Sequence, residues 1–231
     1  MSNYFENSSW KEQRLGKFTS SEISKLLKGG RKKDQLFGLT ALSYINEKIA
    51  EIITGESKVV EGKALEWGAA NESDGINLFQ QIHHEGIEYF GVANPQFFPF
   101  TSIAGGSPDG LTETAVIEVK CPYNSANHVE FLLAAKGSDH NTWLAENRED
   151  YYAQVQMNML CTGRAKAYLI SYDPRAINHY HRIAVLEIDI DKSLQDDLVI
   201  RLSEAKNIVK QALSTLEDTI DVDRIVGNQG L

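Results

Sequence analysis

Apolar residues recur at helical spacing along several stretches of the chain and alternate with polar ones along shorter stretches. Leu42, Ile45, Ile49, Ile52 and Ile53 share a helical face that stops at Gly55, a residue that ends helices by entering left-handed backbone without steric cost. Upstream, Thr19-Ser20-Ser21-Glu22 reads as a capping box ahead of a short helix whose apolar face is Ile23, Leu26 and Leu27. A further helix is predicted from about Lys63 to Gln81, with Trp67, Ile76 and Phe79 apolar and Glu72 on another face. Strands are predicted at 86–92 and 96–98, joined through Asn94-Pro95. After a hairpin at 109–121 come helices near 125–136 and 141–160, alternating strands at 165–172 and 181–190, and a long helix over 194–216. The final residues, ending Gly227-Asn228-Gln229-Gly230-Leu231, are expected to fray. The order implies one α/β domain over residues 1–231, with a mixed sheet and an N-terminal helical part.

The hairpin breaks the pattern in an informative way. Ala115-Val116-Ile117-Glu118-Val119-Lys120-Cys121 has the composition of a buried central strand, yet it carries a carboxylate and an ammonium. Side chains alternate across a strand, so Glu118 and Lys120 face one side while Ile117 and Val119 face the other. Ser107-Pro108-Asp109-Gly110 precedes it as a tight turn, and Thr112-Glu113 is the predicted connection that folds Asp109 back beside Glu118. Two carboxylates, a backbone carbonyl and one ammonium would then converge. Hard oxygen ligands beside a cation suit metal-assisted phosphodiester hydrolysis. A polar strand face beside a common turn is the competing reading, and the motif alone does not decide between them.

Composition narrows the field. The 231 residues suffice for one core without staples. No apolar run approaches the roughly 20 residues of a membrane span, and Met1-Ser2-Asn3-Tyr4-Phe5-Glu6 lacks the basic and apolar parts of a signal peptide. A cytoplasmic protein is expected. Cys121 and Cys161, the two cysteines, have no partners at zinc spacing and are too few for an ordinary iron–sulfur cluster; free thiols are expected rather than a disulfide. The net charge of −9 argues against binding nucleic acid through a generally basic surface. The cations are uneven, however: Arg14, Lys17, Lys25, Lys28, Arg31, Lys32 and Lys33 cluster near the N-terminus, whereas Glu217, Asp218, Asp221 and Asp223 make the end acidic. A positive channel within a repelling surface fits this, as does a solvated loop. The histidine pairs His83-His84 and His179/His181 are read as structural, since a Mg²⁺ site does not ask for imidazole.

With these elements placed, the sequence resembles the lambda-exonuclease family, the phage-recombinase (YqaJ-type) branch of the PD-(D/E)xK nuclease superfamily. Trp10-Lys11-Glu12-Gln13-Arg14-Leu15-Gly16 with Thr19-Ser20-Ser21-Glu22 is similar to its opening block, and Leu65-Glu66-Trp67-Gly68 through Glu72 to its second. Gly106-Ser107-Pro108-Asp109-Gly110-Leu111 and Ile117-Glu118-Val119-Lys120-Cys121-Pro122 resemble the catalytic blocks. Tyr151-Tyr152-Ala153-Gln154-Val155-Gln156 resembles the helix after them, and Tyr172-Asp173-Pro174 a later strand end. The blocks occur in the family's order.

The resemblance implies a restriction-endonuclease-like core, with a central mixed sheet flanked by helices. It implies a Mg²⁺-dependent exonuclease, with two ions per site and Mn²⁺ able to substitute, that digests one strand of linear double-stranded DNA from the 5′ end. The products would be 5′-mononucleotides and 3′ single-stranded tails for recombination. A homotrimer ring and a single-strand annealing protein as partner are implied too, in a bacterial or phage-infected cytoplasm. Asp109, Glu118 and the Val119 carbonyl would ligate metal, with Glu72 as the helix-borne glutamate of the site. Lys120 would orient or help deprotonate the attacking water; Gln154 and Tyr151, three residues apart on one helical face, would border it. Arg14, Ser21 and Ser107 would bind the 5′-phosphate, Leu65 would wedge between the strands, and Lys63, Arg31 and Lys32 would meet the DNA. Other readings remain: an endonuclease on the same fold, a DNA-binding subunit without chemistry, or a metal-binding protein with no nucleic-acid role.

Overall fold

A strand buried on both faces needs neighbours on both edges and cover on both sides, and Ala115–Lys120 is such a strand along all but its last residue. The computed structural model describes residues 8–219 apart from 33, 60, 85 and 93. Lys33, Asp221, Asp223 and the predicted frayed end lie outside the described residues. The chain opens with α1 (Ser8–Arg14) and β1 (Phe18–Thr19), then a 3-10 helix over Ser20–Leu27. Two longer helices follow, α2 (Leu39–Thr54) and α3 (Lys63–His83). Four short strands come next: β2 (Glu88–Tyr89), β3 (Phe98–Thr101), β4 (Ala104–Gly106) and β5 (Gly110–Leu111). They lead into β6 (Ala115–Lys120). Helices α4 (Ser125–Ala134), α5 (His140–Asn147) and α6 (Glu149–Thr162) then carry the chain over to β7 (Lys166–Tyr172). β8 (Ile183–Asp189) and α7 (Lys192–Thr219) complete the described chain.

The main sheet has the order β2-β5-β6-β7-β8. β6 and β7 pair in parallel and the other neighbours are antiparallel, so the sheet is mixed as expected. A parallel pair needs a crossover, and α4, α5 and α6 supply it. β1, β4 and β3 form a small second sheet that the hydrophobic pattern did not reveal. Its β4 strand, Ala104-Gly105-Gly106, has too few side chains to show an alternation.

Alternation along β6 divides the core. Val116 packs with Phe131, Val155 and Met159 under the crossover helices, while Ile117 and Val119 pack with Ile76 and Phe79 of α3. A third cluster joins α2, α6 and α7 through Tyr44, Ile45, Met157 and Leu198.

Three local expectations change. The capping box does not form: Thr19 caps a 3-10 helix with no side-chain hydrogen bond, and Glu22 pairs with Lys25. Helix α2 does end at a left-handed Gly55, but Ile52 and Ile53 are 42% and 59% exposed. Its last turns bury Lys48 and Glu51 instead, paired at 2.7 Å, with Glu51 also accepting the Gly16 N–H at 2.9 Å. The predicted helix over 141–160 is two helices, because Arg148 adopts φ −146° and ψ 62°, outside helical geometry.

Candidate active site

Glu118 lies at the centre of the buried face of β6 and is only 3% exposed. A charge so placed needs partners. It has three: Lys120 Nζ donates to Oε1 at 2.8 Å, Gln154 Nε2 donates to the same oxygen at 2.7 Å, and Asn158 Nδ2 donates to Oε2 at 3.0 Å. Lys120 and Glu118 meet because residues two apart on a strand share a face. Gln154 and Asn158 reach them because they are four apart on α6, which packs over that face. Lys120 Nζ also donates to Gln154 Oε1 at 3.0 Å and stands 4.8 Å from the centre of the Tyr151 ring, a cation–π arrangement. Tyr151 and Gln154 are thus brought together with Lys120, as their helical spacing predicts.

The turn folds Asp109 back as its sequence suggests. Asp109 N–H donates to Ile117 carbonyl oxygen at 3.1 Å, and Asp109 Oδ2 accepts the Val119 N–H at 2.6 Å. Glu72 approaches from α3 and accepts a hydrogen bond from the Tyr89 hydroxyl at 3.1 Å. Burial, and after it the Glu118 and Glu72 charges, raises Asp109 well above the usual carboxylate range. Burial likewise pushes Glu72 up to about 7, against the Tyr89 hydrogen bond and reinforced by Glu118. Burial works against the Lys120 ammonium, but Glu118 and then Asp109 outweigh it and hold its pKa above the ordinary lysine value. Lys120 Nζ is thus placed as a donor at the edge of the carboxylates, suited to orienting water or offsetting charge.

Glu72, Asp109, Glu118, Lys120 and Tyr151 line a cleft of about 820 Å³ that also takes in Trp10, Leu65 and Ser107. Arg14 Nη1 donates to Ser107 Oγ at 3.2 Å, Trp10 Nε1 donates to the same oxygen at 3.0 Å, and the guanidinium lies 4.3 Å over the Trp10 ring. Arg14 and Ser107 are brought together, two residues from Asp109. Ser21 is not part of this contact; it is exposed, with its Oγ 3.4 Å from Thr19 Oγ1. Leu65 is 40% exposed on the first turn of α3, where Lys63 is also exposed. Arg31 and Lys32 are exposed on the loop beyond the 3-10 helix and do not line the cleft. Part of the N-terminal positive charge is locally neutralised: Lys25 pairs with Glu22 and Lys28 with Glu149. Both cysteines are free, and burial pushes each thiol up to about 12.

Two contributors escaped the sequence reading. Asn158 continues the 151/154 spacing by one turn and could have been found that way. Tyr89 had no such signal, since only the β2–β5 pairing sets its ring beside Glu72.

The donor set can be tested against Mg²⁺. Among the described residues no three His, Cys, Asp or Glu side chains form a ready cage. Asp109, Glu118 and the Val119 carbonyl nevertheless offer hard oxygens only, and Asp109, raised by burial and then by Glu118 and Glu72, sits among carboxylates whose negative charge a divalent cation would relieve. The residues fit the ion. Asp109, Glu118 and Val119 would hold it, with Glu72 at the margin.

No curated protein matches the chain by sequence. Solved structures share its fold. LHK-Exo in complex with dAMP superposes with a TM-score of 0.73 at 23% identity, covering 97% of this chain and 100% of that one. The alkaline exonuclease LHK-Exo from Laribacter hongkongensis gives 0.71 at 24% identity, over 92% of this chain and 99% of that one. A phage-related exonuclease from Haemophilus somnus 129PT gives 0.69 at 18% identity, over 87% and 96%. The fold is thus the mixed α/β core of the PD-(D/E)xK type. The sequence of residues 9–165, which runs from α1 through the cleft to the end of the crossover, matches the family model of the YqaJ-like viral recombinase domain, and the chain belongs to that family.

Proposed function

We propose that this recombinase-family chain is a metal-dependent exonuclease that digests one strand of linear double-stranded DNA from its 5′ end. It releases 5′-mononucleotides and leaves 3′ single-stranded tails for recombination by annealing. The carrying observation is the Lys120 ammonium, held 2.8 Å from Glu118 and 3.0 Å from Gln154 in a cleft that also contains Asp109 and Glu72. The structural neighbours, an alkaline exonuclease and a phage-related exonuclease among them, support the same reading.

In this reading Asp109, Glu118 and the Val119 carbonyl bind Mg²⁺, two ions per site, with Mn²⁺ able to substitute. Bound Mg²⁺ supplies Lewis-acid stabilisation of negative charge on the phosphate. Lys120 donates to the attacking water and offsets charge that develops on the phosphoryl oxygens. Gln154 fixes the ammonium through its Oε1, and the Tyr151 ring limits its swing. Arg14 and Ser107 take the 5′-phosphate, with Ser21 joining when DNA is bound; a planar guanidinium fork suits a terminal phosphate. Leu65 wedges between the strands, and Lys63, Arg31 and Lys32 meet the backbone. The whole chain acts as one nuclease domain. It works in the cytoplasm as a homotrimer ring, with a single-strand annealing protein as partner. No helix among the described residues is long and apolar enough to cross a membrane.

The test is digestion of one linear duplex labelled at each 5′ end in turn, with and without Mg²⁺, beside a covalently closed circle. Mononucleotide release from each 5′ label, only with Mg²⁺ and never from the circle, is expected. Cutting of the circle would replace the exonuclease by an endonuclease, and binding without cutting would leave a DNA-binding subunit.

A further inference from the structure

Glu118 is held on both oxygens, and one of its holders has so far no assigned purpose. Asn158 is completely buried and donates to Oε2 at 3.0 Å, while Gln154 and Lys120 occupy Oε1. The other end of the same amide is costly: Asn158 Oδ1 is buried with no hydrogen-bond partner. Leaving a buried acceptor unpaired is unfavourable, so the orientation of this amide is dictated by what its nitrogen does for Glu118. The space for it comes from a distant strand. A Cβ at Gly106 would lie 2.3 Å from Asn158 Oδ1, with Cys161 Sγ and Ser20 Oγ each at 3.3 Å. Glycine at the end of β4 therefore gives the Asn158 amide its seat.

We infer that Asn158 is a positioning residue for Glu118, seated by Gly106. An ionised carboxylate has about four lone-pair sites. Amide donors on both oxygens fix its rotation, and so fix which lone pairs are left to face the cleft. The carboxylate is oriented for a divalent cation before the cation arrives, by neutral donors that add no competing charge. Gln154 alone would hold one oxygen and leave the other free to turn away. The consequence for cation binding rests on the metal-dependent reading above, and the test reads cation binding by the chain alone.

Isothermal titration calorimetry with Mg²⁺, on the full chain without DNA, compares wild type with Asn158→Ala, Gly106→Ala and the double variant, with thermal unfolding measured alongside. Loss of a group that orients a metal ligand typically costs about 10–100-fold in affinity, and Asn158→Ala is expected in that range. Gly106→Ala should weaken Mg²⁺ in the same direction by displacing the amide. In the Asn158→Ala background it should add nothing, because the group it collides with is gone. In cleavage, Asn158→Ala should raise the Mg²⁺ concentration needed for half-maximal rate while largely preserving the maximal rate. Unchanged Mg²⁺ affinity in a folded Asn158→Ala chain overturns the inference. If that variant does not fold, Gly106→Ala decides, since it removes no polar group; wild-type affinity there overturns the inference by itself. A wild-type chain that binds Mg²⁺, loses it in both variants and cuts no DNA would defeat the nuclease reading and uphold the role of Asn158.

Discussion

Arg14 and Ser107 are joined by a hydrogen bond of 3.2 Å that spans 93 residues of sequence and ends two residues short of Asp109. The candidate phosphate anchor and the candidate metal site therefore share one short turn.

Removal of that guanidinium should erase the preference for a phosphorylated end that the proposed function predicts. Arg14→Ala should slow digestion of 5′-phosphorylated duplex roughly 10–100-fold, as for loss of a charge-assisted hydrogen bond of about 1.5–3 kcal/mol. Digestion of 5′-hydroxyl duplex should barely change. Initial rates on the two substrates measure this, and a ratio that survives the substitution would remove Arg14 from the phosphate pocket.

Lys120→Ala should reduce cleavage roughly 100-fold or more, the scale of losing an electrostatic donor at a developing charge. Binding of duplex DNA by fluorescence anisotropy should stay close to wild type. Near-normal cleavage would show that the ammonium is only an ion-pair partner for Glu118.

Glu51 holds the turn behind Arg14 through the Gly16 N–H and pairs with buried Lys48. Glu51→Ala leaves that ammonium only the longer contact to Glu22 at 4.0 Å, and loss of a buried pair's closer partner costs about 3 kcal/mol in comparable settings. Urea unfolding should show a lower midpoint, and a midpoint equal to wild type would mean that Lys48 finds other compensation.

Asp173 gives a stability signal in acid. Burial pushes its carboxyl up, but hydrogen bonds from Arg175 and Ser125 outweigh this and bring it down to about 2. The folded pKa lies below the usual value of 3.8, so the folded state binds fewer protons. The stabilisation is complete above about pH 4 and is lost as pH falls through the folded pKa. Asp173→Asn should be less stable than wild type by about 2 kcal/mol at pH 7, with the gap closing towards pH 2. A gap that does not depend on pH would count against the ion pair with Arg175.

Sedimentation should report the mass of three chains if the ring is correct. A stable monomer at micromolar concentration would dismiss it.

The most legible part of the molecule was β6, because strict alternation places Glu118 and Lys120 on one face whatever packs above them. Gly55 ended its helix as expected for a residue free to become left-handed. Exposure of Ile52 and Ile53 was not legible: Lys48 and Glu51 are buried as a pair that also meets the Gly16 N–H, and no local pattern encodes that contact. The break at Arg148 was hidden for a similar reason, since the residues on both sides favour helix. On α6, residues 151, 154 and 158 follow helical spacing towards Lys120 and Glu118, and that spacing made the first two legible. Ser21 differs from Arg14 and Ser107 in that its hydroxyl lies 3.4 Å from Thr19 Oγ1, a contact that its sequence block does not encode.

The crossover that makes β6 and β7 parallel has a consequence for when the chain becomes active. Gln154 and Asn158 follow Glu118 by 36 and 40 residues and reach it only once α6 has docked across the sheet. A growing or partly folded chain displays the acidic turn and strand without the amides that steady them. The arrangement around Glu118 is therefore complete only in a chain whose α6 lies across β6.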